Sequence, residues 1–214
     1  MTKISVNWVA LITSFAAFSA GAQSSINTIT DRNGCQNAGY FGLGWTSTFG
    51  QVITVPDSED ILSGFSFAIN LPATDYFQAG VYAWNGTGAT GPALYTSPAT
   101  ATSGSGTFET MAFDTGGISV TPGGSYVLMA TTVDEGGSGE GTWGLVVPSD
   151  YPAGGFVYAG NTTPDELTSE PWYTVYESGS SLAFTADFAP VPEPSSWGLL
   201  GLGVIAWTGW RRRE

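Results

Sequence analysis

Histidine is absent from all 214 residues, and cysteine occurs once, at Cys35. Without an imidazole neither a Ser-His-Asp nor a Cys-His hydrolase can be assembled, because each uses that ring as its base. Histidine-ligated zinc, copper and non-haem iron sites are excluded for the same reason. A single cysteine removes intramolecular disulfides, iron–sulfur clusters and multi-cysteine zinc sites. Positive charge is nearly as scarce, with five Lys and Arg against 18 Asp and Glu and a net charge of −13. Phosphate contacts need clustered bases, so nucleic acid is excluded as a partner.

What is present points to a folded chain rich in turns. Hydrophobic residues make up 42% and aromatics 14%, enough for a packed core. Thirty glycines and 12 prolines supply turns while staying below the share that marks low-complexity sequence. The length fits one domain with extensions.

The bases sit almost entirely at the ends. Lys3 lies in a short positive segment, Met1–Ser5, followed by the apolar run Val6–Ala20. Ala20 and Ala22 then stand at the −3 and −1 positions before Gln23. This three-part layout is that of a secretory signal peptide over 1–22, cleaved after Ala22 and handled by the Sec export machinery. At the other end, Val191, Pro192, Glu193 and Pro194 open a short motif (191–196). An apolar segment follows (197–210), bounded by Trp197 and Trp210, and the basic cluster Arg211, Arg212 and Arg213 closes it within a tail at 211–214. Fourteen helical residues span about 21 Å, short of a ~30 Å hydrocarbon core, and counting from Pro194 with snorkelling arginines narrows the gap. The arginines place the far end in the cytoplasm, so the upstream chain lies outside it. The leader gives the same topology.

Val191-Pro192-Glu193-Pro194-Ser195, a glycine-dotted apolar helix and an arginine cluster together resemble the PEP-CTERM sorting signal of Gram-negative bacteria. The resemblance covers about the last 24 residues. It implies recognition of Pro192-Glu193-Pro194 by a membrane-embedded exosortase. Cleavage near the motif would then release the protein to the cell surface or an extracellular polysaccharide matrix. The precursor would sit in the inner membrane with its body in the periplasm. Glu214, after the arginines, departs from the pattern without altering its charge logic. Physically, the two prolines forbid helix and hold an extended peptide ahead of the membrane, as a processing site requires.

Between the signals, residues 23–190 contain 16 acids and one base, Arg32, a net charge of −15. Apolar residues there alternate with polar ones, as at Phe65/Phe67/Ile69, Phe77/Ala79/Val81/Ala83, Tyr126/Leu128/Ala130 and Leu182/Phe184/Ala186/Phe188. Period two places one side of each run on a core. Further strands are expected over 51–55, 107–113, 118–121, 142–147, 155–159 and 172–176. Turn signals separate them, among them Asn85-Gly86, Gly91-Pro92 and Pro122-Gly123-Gly124. The expected fold is all-β: an antiparallel, jelly-roll-like sandwich of about ten strands, plus an N-terminal signal helix and a C-terminal membrane helix. The cadence of 49–56, 62–67 and 80–84 is similar to that of secreted jelly-roll domains, many of them carbohydrate-binding or surface-anchored.

Aromatics are the first candidates for contact with a ligand: Trp45, Trp84, Trp143, Trp172, Tyr82, Tyr151, Tyr158, Tyr173 and Tyr176. Exposed Trp and Tyr rings stack on the apolar faces of sugars. Gln78, Tyr82 and Trp84 share one side of a strand, opposite Phe77 and Val81, and are the expected glycan platform. The competing reading makes that side a second packed layer. Carboxylates cluster at Asp57/Glu59/Asp60 and at Asp134/Glu135 with Glu140 behind. Such loops suit weakly bound calcium or are simply solvated, and no other cofactor is implied. Asp31-Arg32-Asn33-Gly34 begins like a calcium loop but lacks the later ligands. Asn85-Gly86-Thr87 and Asn161-Thr162-Thr163 match the glycosylation pattern, to which a bacterial host gives little use. No His or Lys lies near Cys35 in sequence to lower its pKa, which speaks against a nucleophile. The expected function is a non-enzymatic, structural or adhesive surface protein. A carbohydrate-binding module is the first alternative. A glycan hydrolase is the second, and it needs two carboxylates about 5–5.5 or 6.5–9.5 Å apart.

Overall fold

The computed structural model describes residues 23–32, 36–42, 44–133, 135, 140–161, 163–174 and 179–190. The leader with Ala20 and Ala22, the sorting signal 191–214, Cys35, Asp134 and Tyr176 lie outside them, as do both terminal helices expected from the sequence.

In chain order the strands are β1 (Ser24–Asn27), β2 (Asn37–Phe41), β3 (Thr48–Thr54), β4 (Ile61–Asn70), β5 (Gln78–Trp84), β6 (Ala89–Thr96) and β7 (Glu109–Ser119). They continue with β8 (Ser125–Thr131), β9 (Gly141–Val146), β10 (Phe156–Ala159), β11 (Tyr173–Thr174), β12 (Ser181–Leu182) and β13 (Phe184–Ala189). A single helical turn, α1 (Glu166–Ser169), precedes β11. Two antiparallel sheets make a sandwich. The first runs β1-β13-β4-β9-β12, with β2 paired to β9 and β7 to β4; the second runs β11-β10-β3-β8-β5-β6.

All four alternating runs lie in or against strands, and their apolar sides meet in one core. Phe65, Phe67, Phe184 and Phe188 of the first sheet face Phe49, Ile53, Leu128 and Val81 of the second. Trp143 on β9 is completely buried and touches rings from both sheets. Its centroid is 4.7 Å from Phe67, 5.2 Å from Phe41 and 5.8 Å from Phe49, the last two edge-on. Gln51 joins the layers through one polar bond, its Oε1 accepting from the Leu182 amide at 2.8 Å, while its Nε2 donates to the Val52 carbonyl of its own strand.

The strand boundaries depart from the sequence reading where glycine or proline occurs inside a strand. Residues 107–113 and 118–121, expected as two strands, are largely one, β7. Its register against β4 jumps between Leu62 and Gly64, and Gly116 and Gly117 absorb the bulge at φ 69° and 83°. Gly91-Pro92, expected as a turn, lies inside edge strand β6, where a bulge opposite Val81–Ala83 and an unpaired side tolerate proline. The sequence reading also missed β1 and β2, which are short and weakly alternating.

Replacing Trp143 by alanine is expected to cost about 3–5 kcal/mol, because a buried indole leaves a cavity between the sheets. The indole Nε1 has no hydrogen-bond partner. Trp143→Phe, which removes that orphan donor and keeps a ring, is expected to cost much less. Urea unfolding midpoints of the two variants check the contrast.

Candidate functional site

With the inner faces committed to the core, any ligand must meet an outer face or the loops. The outer face of the second sheet carries Val52, Tyr82, Trp84, Val127, Met129 and Val157. Residues 163–174 cross it as a strap whose anchors are Leu167 and Trp172. The Trp172 amide donates to the Thr87 carbonyl, and its Nε1 donates to the Leu167 carbonyl at 2.9 Å. The indole sits over Gly50, where a Cβ would come within 2.9 Å of its Cζ3 and 2.7 Å of Val127 Cγ2. Glycine at that position of β3 makes the seat.

This arrangement governs the expected platform. Gln78, Tyr82 and Trp84 do share the outward side of β5, all three part-buried. Trp84 stands perpendicular to Trp172 at 5.8 Å, so part of its surface is already occupied. Burial pushes the Tyr82 phenol above its ordinary pKa. The face is therefore a partly roofed second apolar layer with its rim open.

The outer face of the first sheet is polar across β13, β4 and β7, beside a small apolar cluster of Ala68, Val146 and Ala183 covered by Ile29 and Phe108. A groove of about 380 Å³ lies across β13, β4 and β7, lined by Gln23, Ser66, Thr185, Asp114 and Asp187 above a floor at Gly64. Asp187 and Asp114 both pair with Gly64, from opposite sides. Two strand spacings separate them, roughly 9.5 Å between Cα atoms. The Ser66 and Thr185 hydroxyls bond each other at 2.7 Å. Asp114 Oδ1 accepts from the Gly116 amide at 2.8 Å, which closes the β7 bulge. Nothing in the sequence pattern singled out these two acids, because their proximity comes from the pairing of three strands.

The loop acids do not gather. Among the described residues no group of three or more His, Cys, Asp or Glu side chains is placed to hold a metal ion. Glu59 turns inward and is buried while Asp57 faces solvent, which separates neighbours in sequence. Arg32 lies with its guanidinium carbon 3.7 Å from the centre of the Phe108 ring. Of the two sequon asparagines, Asn85 closes an exposed turn through the Thr87 and Gly88 amides. Asn161 is buried, and its Oδ1 accepts from Thr48 and Ser47.

Two aromatic pairs remain at the surface. Tyr40 and Trp45 are about two-thirds exposed, at 64% and 65%, and stack on each other at 5.0 Å and 27°. Tyr158 and Tyr173, cross-strand partners on β10 and β11, stack at 5.5 Å and 28°. Trp45 and Tyr173 were among the sequence candidates. Tyr40 was missed, since it sits between glycines in an unrecognised strand. Among the described residues the remaining candidates are interior or partly so: Trp143 and Trp172 are buried, and the Tyr151 hydroxyl accepts from the Thr54 amide.

Comparison with known proteins bears on the C-terminal segment first. Residues 190–213 carry the PEP-CTERM protein-sorting motif. The motif implies an exported protein whose precursor is processed by an exosortase-type system. No curated protein matches the chain. Among solved structures, the body is similar to the cysteine protease and lectin-like domains of Cwp84, a surface layer associated protein of Clostridium difficile. Identity there is 12% and the TM-score 0.43, over 68% of this chain and 32% of that one, so the present chain spans about a third of its length. It is also similar to CsCBM6-3 from Clostridium stercorarium, solved with cellobiose, at 17% identity and TM-score 0.31 over 64% and 94% of the two chains. A third likeness is to infectious bursal disease virus, Gt strain, at 16% identity and TM-score 0.33 over 88% and 47%. Among the described residues no helix is long and apolar enough to cross a membrane.

The seat of Trp172 gives a direct test. Gly50→Ala is expected to lift the indole and lower stability by about 1–3 kcal/mol through overpacking. Residues 163–174 should then become sensitive to limited proteolysis. Unchanged resistance would show that the strap holds without that seat.

Proposed function

We propose that this is a non-enzymatic β-sandwich protein with a structural or adhesive role at the cell surface or in the extracellular matrix. The observation that carries the reading is the sorting motif at 190–213, joined to a sandwich body with aromatic rings left at its surface. Export through the Sec machinery would leave the precursor in the inner membrane with its body in the periplasm. Processing near Pro192-Glu193-Pro194 would then free it. The non-enzymatic part draws support from how the few polar candidates are used. Asp114 closes a backbone bulge, Asn161 ties loops together, and Arg32 lies over a phenyl ring. A body with one base in 168 residues and a net charge of −15 also repels acidic polymers at long range. Cohesion with a matrix would therefore proceed through neutral surfaces or bridging divalent cations.

A second reading, a carbohydrate-binding module proper, is favoured by the exposed stacked rings. It differs from the first in requiring one localised site whose loss abolishes attachment.

Deleting Pro192–Pro194 is expected to retain the protein in the inner-membrane fraction, with surface and medium fractions depleted. Normal release of that variant, read by fractionation and immunoblotting, would overturn the sorting part of the proposal.

A further inference from the structure

We propose that Tyr40 and Trp45 form a preformed stacking site for a neutral polysaccharide; this rests on the adhesive reading above and assigns its contact. Three independent observations converge on the pair.

The first is backbone geometry. Tyr40 is the one non-glycine among the described residues with a left-handed backbone, at φ 66°. That conformation costs an L residue free energy, and a tyrosine gains nothing local in return. The cause lies in β2, where Gly39 pairs with Thr142 and Phe41 with Gly141, so Tyr40 is the extra residue of a bulge. A glycine commonly fills that position, and bulges of this kind re-aim a side chain. Here the neighbour Phe41 is fully buried beside Trp143 while the Tyr40 ring is turned to solvent.

The second observation is a closed set of hydrogen bonds around the pair. The turn between the rings is closed by the Gly42 amide on the Thr46 carbonyl at 2.9 Å. The Trp45 amide on Gly42 and the Thr46 amide on Tyr40 complete it. Ser47 next to it is buried and bonded to Asn161. Each ring covers one side of the other and leaves its far side in water. Two large aromatic surfaces are thus ordered before any ligand arrives, which reduces the entropy lost on binding.

The third observation is charge. From Asn33 to Pro56 the sequence holds 24 residues without one charged side chain, in a body that otherwise carries 16 acids. Residues 156–159, which pair with β3 in this stretch, are also uncharged, and the Trp45 carbonyl approaches Gly160 beside them. Neutral aromatic faces carried on uncharged chain, with Glu140 beside the Phe41 partner Gly141 as a neighbouring acid, fit a ligand with C–H-rich faces and hydroxyl edges. The chemical class is a neutral hexose polymer; a polyuronate would meet the repulsion of the surrounding acids.

The test is affinity electrophoresis of the full chain through gels containing β-glucan, galactomannan or dextran, with alginate as the acidic polymer. Wild type should be retarded by at least one neutral polymer and not by alginate. Trp45→Ala and Tyr40→Gly should each lose about tenfold or more in affinity for that polymer. Tyr76→Ala, which removes another exposed aromatic, should bind as wild type. Tyr40→Gly matters most, because glycine adopts the same backbone without strain and keeps the turn while deleting the ring. Its melting curve should stay close to that of wild type. Wild-type retardation that both variants retain would overturn the assignment and leave the adhesive reading standing. No retardation in any neutral gel would overturn it as well, as would a large drop in melting temperature for both variants. Sedimentation showing that Trp45→Ala converts a dimer to a monomer would replace the glycan by a second copy of the chain.

Discussion

Two sheets closing on an aromatic interior, with the Trp143 indole at the junction, is the interaction on which the remaining structure depends. The chain has no disulfide to fall back on, and its body carries a self-repelling charge of −15. Burial of large rings from both layers must outweigh that repulsion and the entropy of ordering many turns. Rings meeting edge-on around Trp143 add directional preference to what is otherwise non-directional burial. Gly141, across from the β2 bulge, shows how tight the fit is: a Cβ there would collide with Leu71 and crowd Phe41. Gln51 then ties β3 of one sheet to β12 of the other, so a buried polar bond joins the layers as well as packing.

Once the interior is settled, the two outer faces have different uses. The face of the second sheet is apolar enough to need a cover, and the strap through Leu167 and Trp172 supplies it. The face of the first sheet is hydroxyl- and carboxylate-lined along the β13, β4 and β7 groove, and its apolar part at Ala68, Val146 and Ala183 is covered by Ile29 and Phe108. Among the described residues the rings that escape both core and cover, Tyr40, Trp45, Tyr76 and Tyr173, lie at a bulge, a turn, a loop and a two-residue edge strand. Irregular backbone is where a side chain can be exposed without taking a core position from another.

The sorting function and the fold answer to different physics. A linear motif such as that at residues 190–213 is recognised by residue order alone. The sandwich body carries no comparable linear mark. Its alternating runs are generic to half-buried strands, and likeness of architecture says little about what such a sandwich holds.

The amino-acid order alone determined the sorting signal, the charge partition and the all-β sandwich, because each depends on local spacing: period two, proline pairs and basic flanks. It also placed Gln78, Tyr82 and Trp84 on one side of a strand, since alternation is a local rule. Which aromatic is covered was decided elsewhere. Trp84 is capped by Trp172, 88 positions along the chain, over a seat made by Gly50. Tyr40 is exposed because a bulge against β9 turns it outward, and Asp114 and Asp187 meet only through β4. Burial is a property of neighbours brought together by folding. Tertiary structure therefore chose the exposed pair, joining Trp45 of the sequence candidates to Tyr40, which alternation had not marked.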